Sequence, residues 1–291
     1  MKKAYILAGV AILCWSTVAT VAKLMLSEIN NFQLLWISSL FAGLFLLCFN
    51  VFTGRIKALK AYRAKDFLVS VLIGLPSSFL YYVFYYGGTD LMPASQAFII
   101  NYMWPIMSVV FACVILKEKL TVRKGVAILI SFIGVGIVTG SELFDFNVSI
   151  IAGAGLCLMG AVSYGVFTAL NQKMDYDNRI TMMLSYFTTF AITSVINGVN
   201  GDLFVPDAVQ TIGFAWNGMF TMAVANTVWV LALRAGETAK ISNLAYITPF
   251  LSLVWTYLFL GEVPGIYSLI GLVVIVIGIF VQLKDKKDSV N

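Results

Sequence analysis

The sequence predicts an all-α membrane protein of ten transmembrane helices, arranged as two inverted five-helix repeats with both termini cytoplasmic. Three observations predict it. Apolar stretches of about 20 residues, each able to cross roughly 30 Å of hydrocarbon as helix, recur along the whole chain. Basic residues sort into alternate loops. A pattern in the first half also returns 144 residues later, from Tyr102 to Tyr246.

Composition sets the class. The 291 residues are 60% hydrophobic and 11% charged, with a mean hydropathy of +0.92; an average soluble chain is roughly a quarter charged. The face alternation of membrane β-strands is missing, so the spans are helical. They fall at 4–25, 32–52, 67–88, 95–116 and 122–140, then at 149–171, 181–199, 210–231, 241–260 and 265–282. The first follows Met1-Lys2-Lys3 but outlasts a secretory h-region and lacks a small-x-small cleavage site, so it is expected to be retained. The third carries Pro76, expected as a local bend. The fourth and ninth carry Pro105 and Pro249 near their middles. The fifth contains Gly136-x-x-x-Gly140 and the tenth Gly271 and Gly278, spacings that permit close helix approach within one chain or in a homodimer. The halves divide at 140/141, giving repeats 1–140 and 141–291, and no room remains for a soluble domain.

Charge orients the bundle. Of nineteen Lys and Arg residues, eighteen fall in segments 2–3, 55–65, 117–124, 173–179, 234–240 and 284–287. All of these lie on one side, which is the cytoplasmic side by the positive-inside rule. The other side holds Lys23 among Glu28, Asp90, Glu142, Asp145, Asp202, Asp207 and Glu262. The net charge of +5 is therefore a topology signal rather than a nucleic-acid footprint. Gly54 to Asp66 reads either as an interfacial helix with Ile56, Leu59 and Tyr62 toward lipid or as a plain basic loop.

The repeat rests on Tyr102-x-x-Pro105-x-x-Ser108 over Tyr246-x-x-Pro249-x-x-Ser252, with Glu118 over Glu262 and Gly134 over Gly278. Halves that start on opposite sides of the bilayer are the arrangement of inverted repeats in secondary transporters. A mid-helix proline frees carbonyls that are costly to face to lipid, so paired prolines point to a central cavity or hinge.

Trp15-Ser16-Thr17, Asn101-Tyr102-Met103-Trp104-Pro105 and Gly261-Glu262, set in paired five-span halves, resemble the EamA-type drug/metabolite transporter superfamily over essentially the whole chain. The first two elements are most similar to bacterial aromatic amino acid exporters. The resemblance implies a central substrate path and export of small metabolites across the inner (plasma) membrane by alternating access. Lys117-Glu118 stands where a Gly-Glu pair is often seen.

With the spans almost free of charge, uncharged polar and aromatic groups are the candidate substrate-binding residues. They are Trp15 and Ser16; Ser78 and Tyr82; Asn101, Tyr102, Trp104 and Pro105; Ser163 and Tyr164; Asn226; and Asn243, Tyr246 and Pro249. An amide in hydrocarbon needs partners, so Asn101 and Asn226 serve either as interhelical glue or as cavity lining. The interfacial belt accounts for Tyr5, Trp36, Tyr85, Tyr86 and Trp229. Lys23 either snorkels to water or meets a substrate carboxylate. No histidine exists to relay protons, and the membrane carboxylate on which the related four-helix multidrug antiporters depend is missing. Facilitated movement of amino acids or similar metabolites is therefore expected. The alternative cargo is a drug or organic cation, and an intramembrane enzyme is disfavoured because no acidic, histidine-bearing or nucleophilic centre lies at membrane depth. No metal, cofactor or nucleic acid is implied. The four cysteines fit no metal spacing or disulfide framework, which leaves a small-molecule substrate and the bilayer as partners.

Overall fold

The computed structural model describes residues 2–139, 147–174, 176–235 and 244–288, without the side chains of 233, 234 and 282–288. The 140/141 boundary and Asn243 lie outside the described residues. Among the described residues every regular element is a helix, as a bilayer without water to satisfy stray backbone groups requires. Six helical stretches are long and apolar enough to cross a membrane: Lys2–Leu26, Asn31–Phe52, Ala64–Leu91, Ala94–Ile115, Val148–Lys173 and Asn178–Asn200. Shorter or less apolar helices complete the bundle.

Several long stretches are interrupted. The first divides at Thr17 into α1 (Lys2–Ser16) and α2 (Val18–Leu26). After α3 (Asn31–Phe52), a 3-10 turn at Arg55–Ala61 leads into α4 (Ala64–Leu75), which passes through a π-helical segment at Pro76–Leu80 into α5 (Tyr81–Leu91). Next come α6 (Ala94–Asn101) and α7 (Trp104–Ile115), parted at Tyr102–Met103, and then α8 (Val122–Val138). In the second half, α9 (Val148–Lys173) and α10 (Asn178–Asn200) are continuous. A second π-helical segment, Trp216–Val224, joins α11 (Ala208–Ala215) to α12 (Ala225–Ala235), and α13 (Ile247–Leu260) and α14 (Ile266–Asp288) follow. A 144-residue shift carries Pro76–Leu80 onto 220–224, inside the second π-helical segment. The bend at Pro76 thus has a structural counterpart even though no proline stands there.

Helix starts are set by side chains that accept from otherwise unpaired amides. Asn30 caps α3 through Gln33 N, Asp177 caps α10 through Arg179 N, and Asp207 caps α11 through Gln210 N. Two helix ends are twins. Lys117 after α7 and Gly261 after α13 both adopt the left-handed conformation, with φ of 58° and 67°. The next amides close the same loop, Glu118 N to Ala112 O and Glu262 N to Thr256 O, each at 3.3 Å. Lysine therefore performs the glycine's turn at a cost of about 1–2 kcal/mol.

The helices pair α3 with α10, α5 and α7 with α9, α1 with α12, and α8 with α14. The last pair meets backbone to backbone. A Cβ on Gly271 would lie 2.7 Å from Gly134 O, and one on Gly278 would lie 2.9 Å from Ala127 O. Gly134 supplies the first half's share of this contact, whereas a Cβ on Gly136 would meet nothing within 4 Å; Gly140 lies outside the described residues. Gly271→Val is expected to cost about 1–3 kcal/mol by overpacking and to lower the melting temperature in detergent, while Gly136→Val leaves it within a degree or so.

Two further expectations are corrected. Ile56, Leu59 and Tyr62 pack against the main core instead of facing lipid. Tyr85 and Tyr86 are fully buried rather than in an interfacial belt: α9 covers α5 along its length, and Tyr86 accepts a hydrogen bond from Asn217 there.

Candidate functional site

Pro105 and Pro249 cannot donate to the carbonyls four residues back, and the helices bearing them break just before each proline, at Tyr102–Met103 and Ala245–Tyr246. Between these breaks lies a cavity of about 70 Å³, room for a handful of waters. Tyr81 and Tyr82 reach it where the first π-helical segment ends, and Tyr164 reaches it from α9. Trp15 and Val18 line it from either side of the Thr17 break, and Thr221 and Asn226 from the second π-helical segment and α12. The walls include three pairs related by the 144-residue shift: Tyr82 with Asn226, Asn101 with Ala245, and Trp104 with Thr248.

The rings form a continuous set. Trp104 meets Tyr164 edge-on at 5.1 Å, Tyr164 lies 5.5 Å from Tyr81, and Tyr81 meets Tyr82 at 4.8 Å. Such edge and tilted contacts suit ring quadrupoles and hold the walls without charge. Asn101 donates through Nδ2 to Tyr81 Oη at 2.7 Å, while its Oδ1 is buried with no partner. An unsatisfied buried amide oxygen costs about 1–3 kcal/mol; this one is enclosed next to Gly160 of α9, so a donor reaches it only when the chamber widens. Tyr102 Oη donates to the Ala245 carbonyl and ties the two broken helices together.

Seven of the fourteen candidates, Trp15, Tyr82, Asn101, Tyr102, Trp104, Tyr164 and Asn226, therefore surround one space. Six others lie elsewhere. Ser16 is fully buried between α1 and α13, where it accepts from Trp255 Nε1 at 2.9 Å. Ser78 accepts from Thr189 against α10, and Ser163 turns back onto the Met159 carbonyl. Pro105 and Pro249 shape the breaks without lining the cavity, and the Tyr246 ring lies 4.9 Å from Phe280 on α14. The candidate list leaves out Val18, Tyr81, Phe98, Thr221, Ala245 and Thr248, which also line the cavity.

A second cavity of about 180 Å³ shares Asn226 with the first and extends to the basic end of the bundle, where Arg55, Tyr176, Asp177 and Arg179 line it. Arg55 and Asp177 pair at 2.5 Å. Tyr176 donates to Asp66 at 3.0 Å, and this carboxylate holds its phenol above the ordinary value. The acidic end is cross-tied as well. Glu262 accepts from the amides of Ala94 and Ser95 at 2.8 and 2.9 Å. Gln210 donates to Glu28, and Gln33 donates to the Asp202 carbonyl. Lys23 lines neither of these two cavities. Its ammonium caps α5 by donating to the carbonyls of Thr89, Asp90 and Met92 at 2.7–3.1 Å, as a cation at a helix C-terminus should. A third recess of about 430 Å³, walled by Leu13, Leu24, Trp216 and Phe259, is apolar and faces outward from the bundle.

A multi-pass helical membrane protein with a small, neutral, ring-lined chamber belongs to the class of small-molecule transporters. The EamA-like transporter family model matches residues 2–140 and again 151–283, and the chain belongs to that family. An S-adenosylmethionine uptake transporter of Rickettsia felis is 22% identical over 91% of this chain and 87% of its own length. An aromatic amino acid exporter, YddG of Ancylobacter novellus, is 23% identical over 62% of this chain and 63% of its own. A protein of known crystal structure shares the fold at a TM-score of 0.69, with 19% identity and 96% of both chains covered. The first two of these relatives are named as transporters; the third shows the fold alone.

Proposed function

We propose that the protein is an inner-membrane exporter of amino acids or closely similar metabolites, the aromatic ones foremost, working by facilitated alternating access. In this reading ten helices cross the bilayer as two inverted units, 1–140 and 141–291, with both termini and the basic end in the cytoplasm. The double family match and the twin left-handed ends at Lys117 and Gly261 support the two units. The observation that carries the cargo is the partnerless Asn101 Oδ1 beside the Tyr81, Trp104 and Tyr164 rings. An ammonium supplies the missing donor and an aromatic side chain stacks on the rings. No carboxylate or histidine lines the chamber among the described residues, which supports movement down a gradient. At about 70 Å³ the chamber must widen to pass its cargo.

The test is flux in proteoliposomes loaded with a panel of amino acids, S-adenosylmethionine and lipophilic cations. Saturable efflux of aromatic amino acids, above that of protein-free vesicles and weakly inhibited by the cations, is expected. Flux equal to empty vesicles across the panel removes the carrier reading. Transport of lipophilic cations alone would make the protein a drug exporter of the same fold.

A further inference from the structure

The chamber satisfies only part of an amino acid. Its rings suit an aromatic side chain, and Asn101 Oδ1 accepts from an ammonium once the space widens. No Lys or Arg lines it among the described residues, so a carboxylate finds no cation there. The cations lie one step away. Asn226 is shared with the second cavity, the larger of the two at about 180 Å³ against about 70 Å³, and Arg55, Asp177 and Arg179 line that cavity.

Each charge is held by local structure. Arg55 opens the 3-10 turn after α3, behind Gly54 in the left-handed conformation. Asp177 precedes α10 and caps it, accepting from Arg179 N at 2.9 Å through Oδ1, while Oδ2 accepts from Arg55 Nη1 at 2.5 Å. The Arg179 guanidinium lies 5.3 Å from the Phe49 ring of α3. Positive and negative groups thus stand side by side in one cavity, to which Leu46, Met182 and Met222 add an apolar wall of adaptable shape. The Arg55 and Asp177 side chains are 38% and 27% exposed. An ion pair this accessible adds little to stability, so exchanging it for a ligand that bears both charges costs little.

We propose that this cavity is the first binding site for cargo arriving at the basic end, and that it recognises a zwitterionic α-amino acid by both of its charges. The carboxylate pairs with the guanidiniums of Arg55 and Arg179, a planar fork suited to it. The ammonium pairs with Asp177, and the side chain lies against the methionines on the way to Asn226 and the rings. The proposal deepens the exporter reading and rests on it for the direction of travel. It also supplies a filter, since a lipophilic cation has no carboxylate to offer the arginines.

Calorimetric titration of the full-length protein in detergent tests it with three ligands: L-phenylalanine, phenethylamine, which lacks the carboxylate, and hydrocinnamate, which lacks the ammonium. Wild-type protein is expected to bind L-phenylalanine on the order of tenfold more tightly than either analogue, the lower end of what one charge-assisted hydrogen bond contributes. Arg55→Gln should weaken L-phenylalanine and hydrocinnamate by about that factor and leave phenethylamine unchanged. Asp177→Asn removes the charge but keeps a side chain that caps helices equally well. It should weaken L-phenylalanine and phenethylamine and leave hydrocinnamate unchanged. Arg55→Lys, which keeps the charge, should retain the preference for a free carboxylate, and Arg179→Gln should repeat the Arg55→Gln pattern if that variant fails to fold. Wild-type protein that binds the three ligands equally, or binds none, overturns the site. So do variants that weaken all three ligands alike, because the loss of a merely structural ion pair is blind to ligand charge. Proteoliposome flux keeps the two readings apart. Charge-specific binding without flux removes the exporter and leaves the site, whereas aromatic amino acid flux with ligand-blind variants removes the site and leaves the exporter.

Discussion

Trp104→Ala is expected to reduce flux per folded molecule by one to two orders of magnitude. The indole forms the wall at the α6–α7 break, with Tyr164 at 5.1 Å and Tyr102 at 6.3 Å. Removing it loosens the ring set and takes away the surface on which an aromatic cargo would stack; a stacked ring pair is worth about 0.5–1.5 kcal/mol beyond its buried area. Positioning lost at such a wall compounds that loss, because the Tyr102 tie to Ala245 lies beside it. Trp36→Ala is the control. Trp36 donates to Ser194 at 2.6 Å and stacks on Phe190 at 6.2 Å, between α3 and α10 and away from the chamber. Its loss should destabilise, with Trp→Ala costs of about 3–5 kcal/mol in packed sites, yet leave flux per folded molecule near wild type. Uptake and efflux normalised to the monodisperse fraction would separate the two. Equal flux loss in both variants would mean that Trp104 acts through packing alone.

What the sequence disclosed follows from what lipid demands. Apolar runs and sorted cations are obligatory in a bilayer, so the long helices lie close to the expected spans. Prolines remove a donor whatever the tertiary context, so the breaks before Pro105 and Pro249 were legible too. The break at Thr17 and the π-helical segment at Trp216–Val224 were not, since neither contains a proline. Packing against other helices holds them instead: the Thr17 hydroxyl accepts from Trp216 Nε1 at 2.9 Å, and Gly218 sits against the Ser38 carbonyl of α3.

Helix rotation was the other blind spot. A span apolar on every side has little moment to orient it, and a π-helical turn shifts the stripe further. Ser78, Tyr82 and Tyr85 fall on one face at ideal spacing. In the structure Ser78 meets α10, Tyr82 lines the chamber and Tyr85 enters the core. The rings of Trp15, Tyr82, Trp104 and Tyr164 do line the chamber, but Tyr246, selected on the same ground, lies on Phe280 instead, and Val18 and Thr221 look like any other span residue. The same ambiguity hid Gly134 behind the better-spaced Gly136 motif.

Asn217→Ala is expected to be the most destabilising polar substitution in the second half, at about 2–4 kcal/mol. Asn217 is fully buried in the second π-helical segment. Its Nδ2 donates to Ser38 Oγ on α3 at 3.0 Å and to Tyr86 Oη on α5 at 2.5 Å, and its Oδ1 accepts from Thr221 at 3.0 Å. One side chain thus joins three elements where no water can replace it. Interhelical hydrogen bonds in membranes average only about 0.6 kcal/mol each, but truncation also strands the Ser38 and Tyr86 hydroxyls, at about 1–3 kcal/mol for each group left unsatisfied. Thermal unfolding in detergent of Asn217→Ala, Ser38→Ala and the double variant would measure the coupling. If the amide is the hub, the double variant loses clearly less than the sum of the two single losses, because Ser38→Ala removes a group that Asn217→Ala has already orphaned. Strict additivity would show that the segment is held by the close approach of Gly218 to α3 and not by its amide.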